Sequence, residues 1–243
     1  MNTQILSPED ILYENNHLIA VNKRCGTLSQ DDGSGRVSMP LLVKEYLKHT
    51  YNKPGNAFLG IVHRLDFPVS GALLYGKTSK GASRISEQIR RHTFAKYYLV
   101  LCDRSGGTFG EWTTLTDYLT RSGDVTVPAA ENDTSARKAI MRIRTVDSFG
   151  GSSLHLIQLE TGRKHQIRAQ LAARGMPIAG DVRYGSTVHI PNAILLHCVL
   201  LKFLHPTEQS TVIVHAPLKT PFSTYVPDFY TESLRTILSS VTQ

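Results

Sequence analysis

Residues 60–71 read GIVHRLDFPVSG, a polar cluster between two short apolar runs. The apolar runs at residues 61–62, before the polar cluster, and at residues 72–75, after it, have the composition of short buried strands. Pro68 biases the chain before it away from the helical region, so we expect Asp66 to project from a rigid bend. Loops on a strand scaffold often carry reactive groups. The alternative is that Asp66 caps the bend and pairs with Arg64 at the surface.

The composition is that of a folded protein with a substantial core. The chain has 243 residues, of which 41% are hydrophobic and 19% are charged. Its apolar runs are far too short to span a bilayer, so we expect no membrane partner. The first ten residues do not resemble a secretory signal, and the three cysteines are widely spaced. We therefore expect a cytoplasmic location, and we expect a monomer.

The charge balance favours a polyanionic partner. Lys and Arg number 27 against 20 Asp and Glu, which gives a formal net charge of +7. Such an excess raises the association rate with nucleic acid, although many basic proteins bind none. A non-catalytic RNA-binding protein would explain this charge as well as an enzyme would.

Periodicity predicts the order of the elements. A turn signal at residues 14–16 predicts an opening hairpin. Helices are predicted after Ser38 and after Thr78 or Ser79, which are good N-cap residues. Further strands are predicted over residues 93–102, 138–145, 154–160, 193–204 and 211–214, with short strands and loops between 106 and 132. Without a repeat or a linker, we predict a single domain over residues 1–243, with its core at about 11–217.

Residues 161–168 read TGRKHQIR and are predicted to begin a helix. The helix would run through Arg174, because Gly175 and Pro177 are typical of a helix end. Arg163 would then lie near the positive end of the helix dipole, where a cation is unfavourable unless an anion is close. This unfavourable placement of Arg163 indicates a functional site.

Together these stretches resemble the RluA family of RNA pseudouridine synthases. The residues that carry the resemblance are, in order, His63-Arg64-Leu65-Asp66 with Ser70-Gly71, Lys96-Tyr97-Tyr98, residues 161–168, Leu195-Leu196-His197 and Phe203-Leu204-His205-Pro206. The last two stretches together form one motif, and four motifs in family order are far more specific than one. The resemblance implies a mixed α/β (α+β) pseudouridine synthase fold, with a largely antiparallel central sheet flanked by helices and loops.

Two departures from the family pattern matter. Val69 stands where many members have a threonine, so a hydroxyl contact is not expected there. The chain also starts almost directly at the catalytic domain. We therefore expect a form without the N-terminal S4 RNA-binding domain, which recognises RNA through the catalytic domain itself.

The resemblance implies an isomerase, an intramolecular transferase that converts uridine in ribosomal or transfer RNA to pseudouridine. It implies no cofactor and no metal, because the reaction is neither a redox step nor a hydrolysis. A metal-dependent hydrolase is the rival class, but the sequence has no HxxxH or HxH pair.

The family motifs also assign roles to residues of this sequence. Asp66 is implied as the essential carboxylate, which attacks C1′ of the ribose or removes the C2′ proton. Arg163 is implied as its cationic partner, and Tyr98 as a residue that stacks on the base and relays the C5 proton. Two further expectations concern substrate binding: Arg64 would hold the RNA, and Leu195 and Leu196 would line the base pocket. For Tyr98, Leu195 and Leu196 the simpler alternative is a core position.

Overall fold

A computed structural model describes residues 6–52, 57–104, 106–208, 210–226 and 238–239. The chain divides into two compact units. Unit 1 comprises Met1–Phe94 and Cys198–Pro217, and unit 2 comprises Ala95–His197 and Leu218–Gln243. The expectations of a single domain and of an absent S4 domain stay predictions. Within the described ranges, no helix combines the length and the apolar character needed to cross a membrane.

The elements follow one another largely as the sequence predicts. In chain order they are β1 (Ile11–Glu14), β2 (Leu18–Lys23), α1 (Met39–Tyr51), β3 (Gly60–Ile61), β4 (Ser70–Gly76), α2 (Ser79–Arg90), β5 (Ala95–Cys102), β6 (Thr113–Ser122), β7 (Val125–Ala129), β8 (Arg137–Phe149), β9 (Ser152–Leu159), α3 (Gln166–Ala172), β10 (Leu196–Leu204), β11 (Thr211–His215) and α4 (Phe222–Tyr225).

Unit 1 is built on two fully buried strands. Every residue of β2 and of β4 is buried, and the two strands pair antiparallel from Leu18 opposite Gly76 to Lys23 opposite Gly71. Strand β1 forms the predicted hairpin with β2, and the short β3 pairs with β4. The part of β10 in this unit lies beside β4 and pairs antiparallel with β11. The register between β2 and β4 therefore places the end of β2 at the start of β4.

The helices of unit 1 begin where their caps predict. Ser38 occupies the N-cap position of α1, although its side chain makes no capping hydrogen bond. The helix buries Met39, Val43 and Leu47 at helical spacing. Thr78 is the N-cap of α2, and its hydroxyl accepts a hydrogen bond from the Gly81 N–H at 3.1 Å.

Unit 2 contains strands in the spatial order β5, β9, β8, β6, β7, and each of these neighbours pairs antiparallel. The alternation predicted for β8 is present, because Met141 and Ile143 are buried whereas Arg142 and Arg144 are partly exposed. The antiparallel strands, helices and connecting loops of both units confirm the predicted α+β fold class.

Gly71 is a position where the fold requires glycine, and this yields a prediction. Its φ is +114°, and a Cβ placed on it would lie 2.3 Å from the Cys198 carbonyl oxygen. We expect Gly71→Ala to lower the free energy of unfolding by about 2–4 kcal/mol, measured by urea denaturation. Gly33→Ala is the matched control, since Gly33 has φ of +75° but no heavy atom lies within 4 Å of the place that its new methyl group would occupy. Equal losses for the two variants would contradict the steric explanation.

Candidate active site

Asp66 lies in a tight turn between β3 and β4, within unit 1. The Val69 N–H donates to the Asp66 carbonyl oxygen at 3.1 Å, which closes a four-residue turn across Phe67 and Pro68. This confirms the predicted bend. We call residues 63–69 the Asp66 turn. The Asp66 side chain is partly exposed, so its carboxylate is held by a folded backbone but remains within reach of solvent.

Ser29 fastens the first half of the Asp66 turn. Its Oγ donates to the Leu65 carbonyl oxygen at 2.6 Å and accepts from the Leu65 N–H at 3.0 Å. The Tyr75 hydroxyl, on β4, donates in turn to the Ser29 carbonyl oxygen at 2.7 Å. All of these groups are buried, so each bond satisfies a polar atom that water cannot reach.

Lys23 fastens the second half of the turn from the end of β2. Its side chain is completely buried, and Nζ donates to the carbonyl oxygens of Thr27 at 2.7 Å, Arg24 at 3.1 Å and Phe67 at 3.2 Å. The Gly26 N–H donates to the same Phe67 oxygen at 3.0 Å. Sequence reasoning missed Lys23, although a lysine that closes an apolar strand run was a visible signal.

Burial lowers the pKa of the Lys23 ammonium to about 7. Electrostatic interactions with the Cys25 and Asp66 side chains oppose this shift in pKa. A lysine with a lowered pKa is characteristic of functional sites, although structural ion networks also produce such a shift.

Two other residues of the turn lie in different environments. Arg64 is exposed, and its Nη1 donates to Gln30 Oε1 at 3.3 Å, which suits a surface contact with a substrate. His63 is buried, where its Nε2 accepts from the Leu74 N–H at 3.0 Å and its ring packs 5.5 Å from the ring of Phe94. This is a packing role, and no catalytic role is assigned to His63.

In unit 2, Tyr98 lies on β5 opposite Ile157 of β9. Lys96 and Val100 point to the same face, as the strand alternation predicts. The Tyr98 side chain is only 5% exposed, so the ring belongs to the packed side of this unit. A role in the reaction stays a prediction.

Arg163 does not lie in a helix, which corrects the sequence analysis. Helix α3 begins at Gln166, and the residue before it, His165, has φ of +53°. Gln166 Oε1 accepts from the Arg163 N–H at 3.1 Å and from the Thr161 hydroxyl at 2.8 Å. The Thr161 hydroxyl oxygen also accepts from the Ile140 N–H at 2.8 Å. These contacts hold residues 160–165 as a loop against β8, so the prediction that the helix begins within residues 161–163 was wrong, and Arg163 precedes the N-terminus of the helix.

The Arg163 side chain is exposed on this loop. Its Nε donates to the Lys138 carbonyl oxygen at 3.0 Å, which fixes the direction of the guanidinium. The two terminal nitrogens lie beyond this anchor and can bind an anion as a pair.

A buried polar network contacts the loop of residues 160–165 through His165. Arg168 makes two bonds to the Asp181 carboxylate, at 2.6 and 2.8 Å, and its guanidinium lies 4.8 Å from the centre of the Tyr184 ring. The Tyr184 hydroxyl accepts from the Thr126 N–H at 2.8 Å and lies 3.0 Å from His165 Nδ1. The sequence analysis did not single out Asp181 or Tyr184, because their partners are distant along the chain.

Leu195 and Leu196 are buried at the start of β10, and Leu195 lies just before the strand rather than inside it. The Leu195 carbonyl oxygen accepts a hydrogen bond from the Leu101 N–H at 3.0 Å. The Leu195 N–H donates to the Ala179 carbonyl oxygen at 2.8 Å. Both leucines are therefore core residues of unit 2, and their contact with a base stays a prediction.

The structure thus places Asp66 and Arg64 in unit 1, and Tyr98, Arg163 and the two leucines in unit 2. Across the described part of the chain, no group of three or more His, Cys, Asp or Glu side chains is arranged to hold a metal ion.

Comparison with known proteins defines the class. The sequence model of the family described as RNA pseudouridylate synthase matches residues 17–173, a stretch that includes the Asp66 turn and the Arg163 loop. The chain belongs to this family. The match confirms the resemblance that the motifs indicate.

Several relatives are named as ribosomal large subunit pseudouridine synthases. Ribosomal large subunit pseudouridine synthase C of Vibrio vulnificus is 29% identical over 223 residues, which cover 86% of this chain and 65% of the relative. The enzyme of the same name from Vibrio cholerae is 30% identical over 224 residues, again with 86% and 65% covered. The chain therefore spans slightly less than two thirds of the length of these curated relatives.

A solved structure supports the fold. Human RNA pseudouridylate synthase domain containing 4 superposes with a TM-score of 0.69 at 20% sequence identity, covering 93% of this chain and 91% of the human chain.

Removal of the Ser29 hydroxyl tests what holds the Asp66 turn. We expect Ser29→Ala to lower the free energy of unfolding by about 2–3 kcal/mol, because it leaves both backbone groups of Leu65 buried without this partner. Hydrogen exchange of the Leu65 amide should accelerate in the same variant. Ser34→Ala is the control, since Ser34 is exposed and should change stability by less than about 0.5 kcal/mol. An unchanged exchange rate of the Leu65 amide would contradict this role of the Ser29 hydroxyl.

Proposed function

We propose that this chain isomerises uridine residues in RNA to pseudouridine, with Asp66 as the catalytic carboxylate. In this reaction the bond from C1′ to N1 breaks, a bond from C1′ to C5 forms, and a proton leaves C5 while N1 gains one. The observation that carries the proposal is the Asp66 turn. It places the carboxylate of the family motif on a backbone that buried hydrogen bonds from Ser29 and Lys23 hold in one conformation.

A fixed carboxylate serves either chemical route. Attack on C1′ and removal of the C2′ proton both require an ionised oxygen at a defined distance and direction from the sugar. The two bonds to Leu65 and the bonds to Phe67 fix the residues on both sides of Asp66, so little orientational entropy remains to be lost when the substrate binds. The two routes differ after this point and stay open.

The roles of residues in unit 2 are proposed from the motif match. Arg163 is proposed as a catalytic cation, which agrees with an exposed guanidinium anchored through Nε. Tyr98 is proposed to stack on the uracil and relay the C5 proton. Leu195 and Leu196 are proposed to line the base pocket.

The target uridine has to leave its stack before it can react, at a cost of a few kcal/mol. Arg64, exposed on the Asp66 turn, is proposed to hold the distorted RNA. The substrate is proposed to be ribosomal or transfer RNA, and the names of the relatives make large-subunit ribosomal RNA the first one to test. We further propose that the protein acts in the cytoplasm as a monomer, without a cofactor.

One assay distinguishes the candidate functions. The protein is incubated with uridine-containing RNA and a chelator, and the RNA is then analysed for pseudouridine, for cleavage and for complex formation. Pseudouridine supports the proposal. Binding without pseudouridine would favour a non-catalytic RNA-binding protein of the same fold, for which the net charge of +7 is the supporting observation.

Asp66→Asn separates chemistry from folding. The amide nearly preserves the shape of the side chain but removes the charge and the basic oxygen. We expect a folded variant with RNA affinity within about threefold of wild type and no detectable pseudouridine, since either route loses at least several powers of ten in rate. Melting temperature, RNA binding and a pseudouridine assay are measured together. Asp31→Asn, at an exposed aspartate of the same unit, should retain full activity. Substantial turnover by a folded Asp66→Asn would exclude Asp66 as the catalytic group.

The net charge predicts a strong effect of salt on RNA binding. If Lys and Arg side chains contact several phosphates, each contact releases counterions when the complex forms. We expect a slope of roughly −3 to −6 for log affinity against log salt concentration between 50 and 200 mM. The slope should be the same for wild type and Asp66→Asn. An affinity independent of salt would contradict recognition through phosphates.

A further inference from the structure

We infer that Arg36 and Phe67 form a stacking platform for the nucleobase next to the target uridine. In this arrangement the Arg36 guanidinium lies between the Phe67 ring and the base. The inference deepens the proposed function and rests on it, because an RNA brings a neighbouring base to Phe67 only when its uridine reaches Asp66. Neither Arg36 nor Phe67 belongs to the motifs that carry the family resemblance.

A surface loop brings Arg36 to the Asp66 turn. We call residues 30–36 the arginine loop. At the start of this loop, Gln30 Oε1 accepts a hydrogen bond from Arg64 Nη1 at 3.3 Å. At its end, the Arg36 guanidinium lies over the Phe67 ring, 4.8 Å from the ring centre. Both ends of the arginine loop therefore contact the turn that carries the proposed catalytic carboxylate.

Hydrogen bonds within the arginine loop hold the Arg36 guanidinium in place. Its Nε donates to Ser34 Oγ at 2.9 Å, and its Nη2 donates to Asp32 Oδ2 at 2.6 Å. Asp32 is held in turn, because the Ser34 N–H donates to its Oδ1 at 3.1 Å. Hydrogen bonds from Ser34 and the ion pair with Arg36 hold the pKa of the Asp32 carboxyl below its usual range. Because the guanidinium is fixed before RNA binds, less conformational entropy is lost when a base stacks on it.

The outer side of the guanidinium is accessible to a ligand. The Arg36 side chain is 49% exposed, although its inner side rests against the Phe67 ring. A guanidinium is planar and stacks on aromatic rings, and the unpaired bases of RNA stack on such planes. A base can therefore extend the stack on the side of Arg36 that faces away from Phe67.

The charges of the arginine loop favour a base over a phosphate. The loop contains the two aspartates Asp31 and Asp32 and the single arginine Arg36, and all three residues are exposed. Asp32 already forms an ion pair with Arg36. A phosphate at Arg36 would therefore approach two carboxylates and only one guanidinium, whereas a base brings no charge to this loop.

Extrusion of the target uridine supplies a base that needs such a platform. A base that leaves its stack also removes one stacking partner from each of its neighbours. Phe67 directly follows Asp66 in the chain, so the platform lies next to the carboxylate that would act on the extruded uridine. Arg36 then replaces the lost stacking partner of one neighbouring base. The identity of that base becomes a determinant of which uridines react.

The platform is tested by RNA binding, without an assay of activity. The probe is a short single-stranded RNA with one uridine between two adenosines, compared with the same RNA in which both flanking nucleotides are abasic. Wild type should bind the adenosine-flanked RNA about tenfold more tightly. Arg36→Lys keeps the charge but has no planar group, so this preference should fall to about twofold or less. Equal affinities of wild type for the two RNAs, or binding of neither, would overturn the inference.

Two further variants test the components of the stack. Phe67→Leu removes the ring but keeps an apolar side chain, and it should lose the same preference as Arg36→Lys. Arg90→Lys is the matched control, because Arg90 is an exposed arginine of the same unit whose Nε donates to Glu87 at 3.0 Å. It should keep the wild-type preference. If Phe67→Leu does not fold, the comparison of Arg36→Lys with Arg90→Lys decides the question.

The remaining outcomes separate the possible roles of Arg36. If Arg36→Lys weakens binding of both RNAs equally, Arg36 contacts a phosphate, and the inference is overturned. If Arg36→Lys lowers the melting temperature but keeps the full preference for the adenosine-flanked RNA, Arg36 only shields the Phe67 ring from water, and the inference is again overturned.

Pseudouridine formation is measured in parallel on large-subunit ribosomal RNA. If wild type forms none, the proposed function fails, whereas the ratio of the two affinities still decides whether the platform binds a base. If wild type forms pseudouridine but Arg36→Lys has the wild-type ratio of affinities, the proposed function stands and the inference fails.

Discussion

The requirement that buried backbone groups find hydrogen-bond partners governs the shape of the Asp66 turn. Residues 63–69 connect the short strand β3 to the buried strand β4, and their own N–H and C=O groups cannot all be satisfied locally. The segment after β2 supplies the missing partners through the Ser29 hydroxyl, the Gly26 N–H and the Lys23 ammonium. The local conformation of Asp66 thus depends on contacts that span 36 to 44 positions along the chain.

The use of a lysine for this purpose has a physical cost. A buried ammonium loses its hydration, and a neutral donor at the same place would avoid that loss. Three carbonyl contacts compensate for part of this loss, and burial still lowers the pKa of Lys23.

In unit 2, a different set of hydrogen bonds satisfies the backbone of the loop that carries Arg163. The loop that carries Arg163 turns between β9 and α3, and its backbone is held by the side chains of Thr161 and Gln166. Behind the loop, the buried pair of Arg168 and Asp181 is fully compensated in charge and fixes the ring of Tyr184. In both units, a motif residue with an accessible side chain therefore rests on polar groups that are buried and hydrogen-bonded. Membership of the RNA pseudouridylate synthase family agrees with this arrangement, since the matched region contains both loops.

The sequence by itself determined the features that depend on near neighbours. The opening hairpin, the helix starts after Ser38 and Thr78, the alternation of β8 and the bend at Asp66 all follow from residues a few positions apart, and the structure contains each of them. The motif order was enough to indicate the family. Only the tertiary structure decided that α3 begins at Gln166, because the competing contact of Thr161 reaches Ile140 on another strand. It also decided that Lys23 is buried against the Asp66 turn, since that depends on the pairing of β2 with β4, which no local pattern encodes.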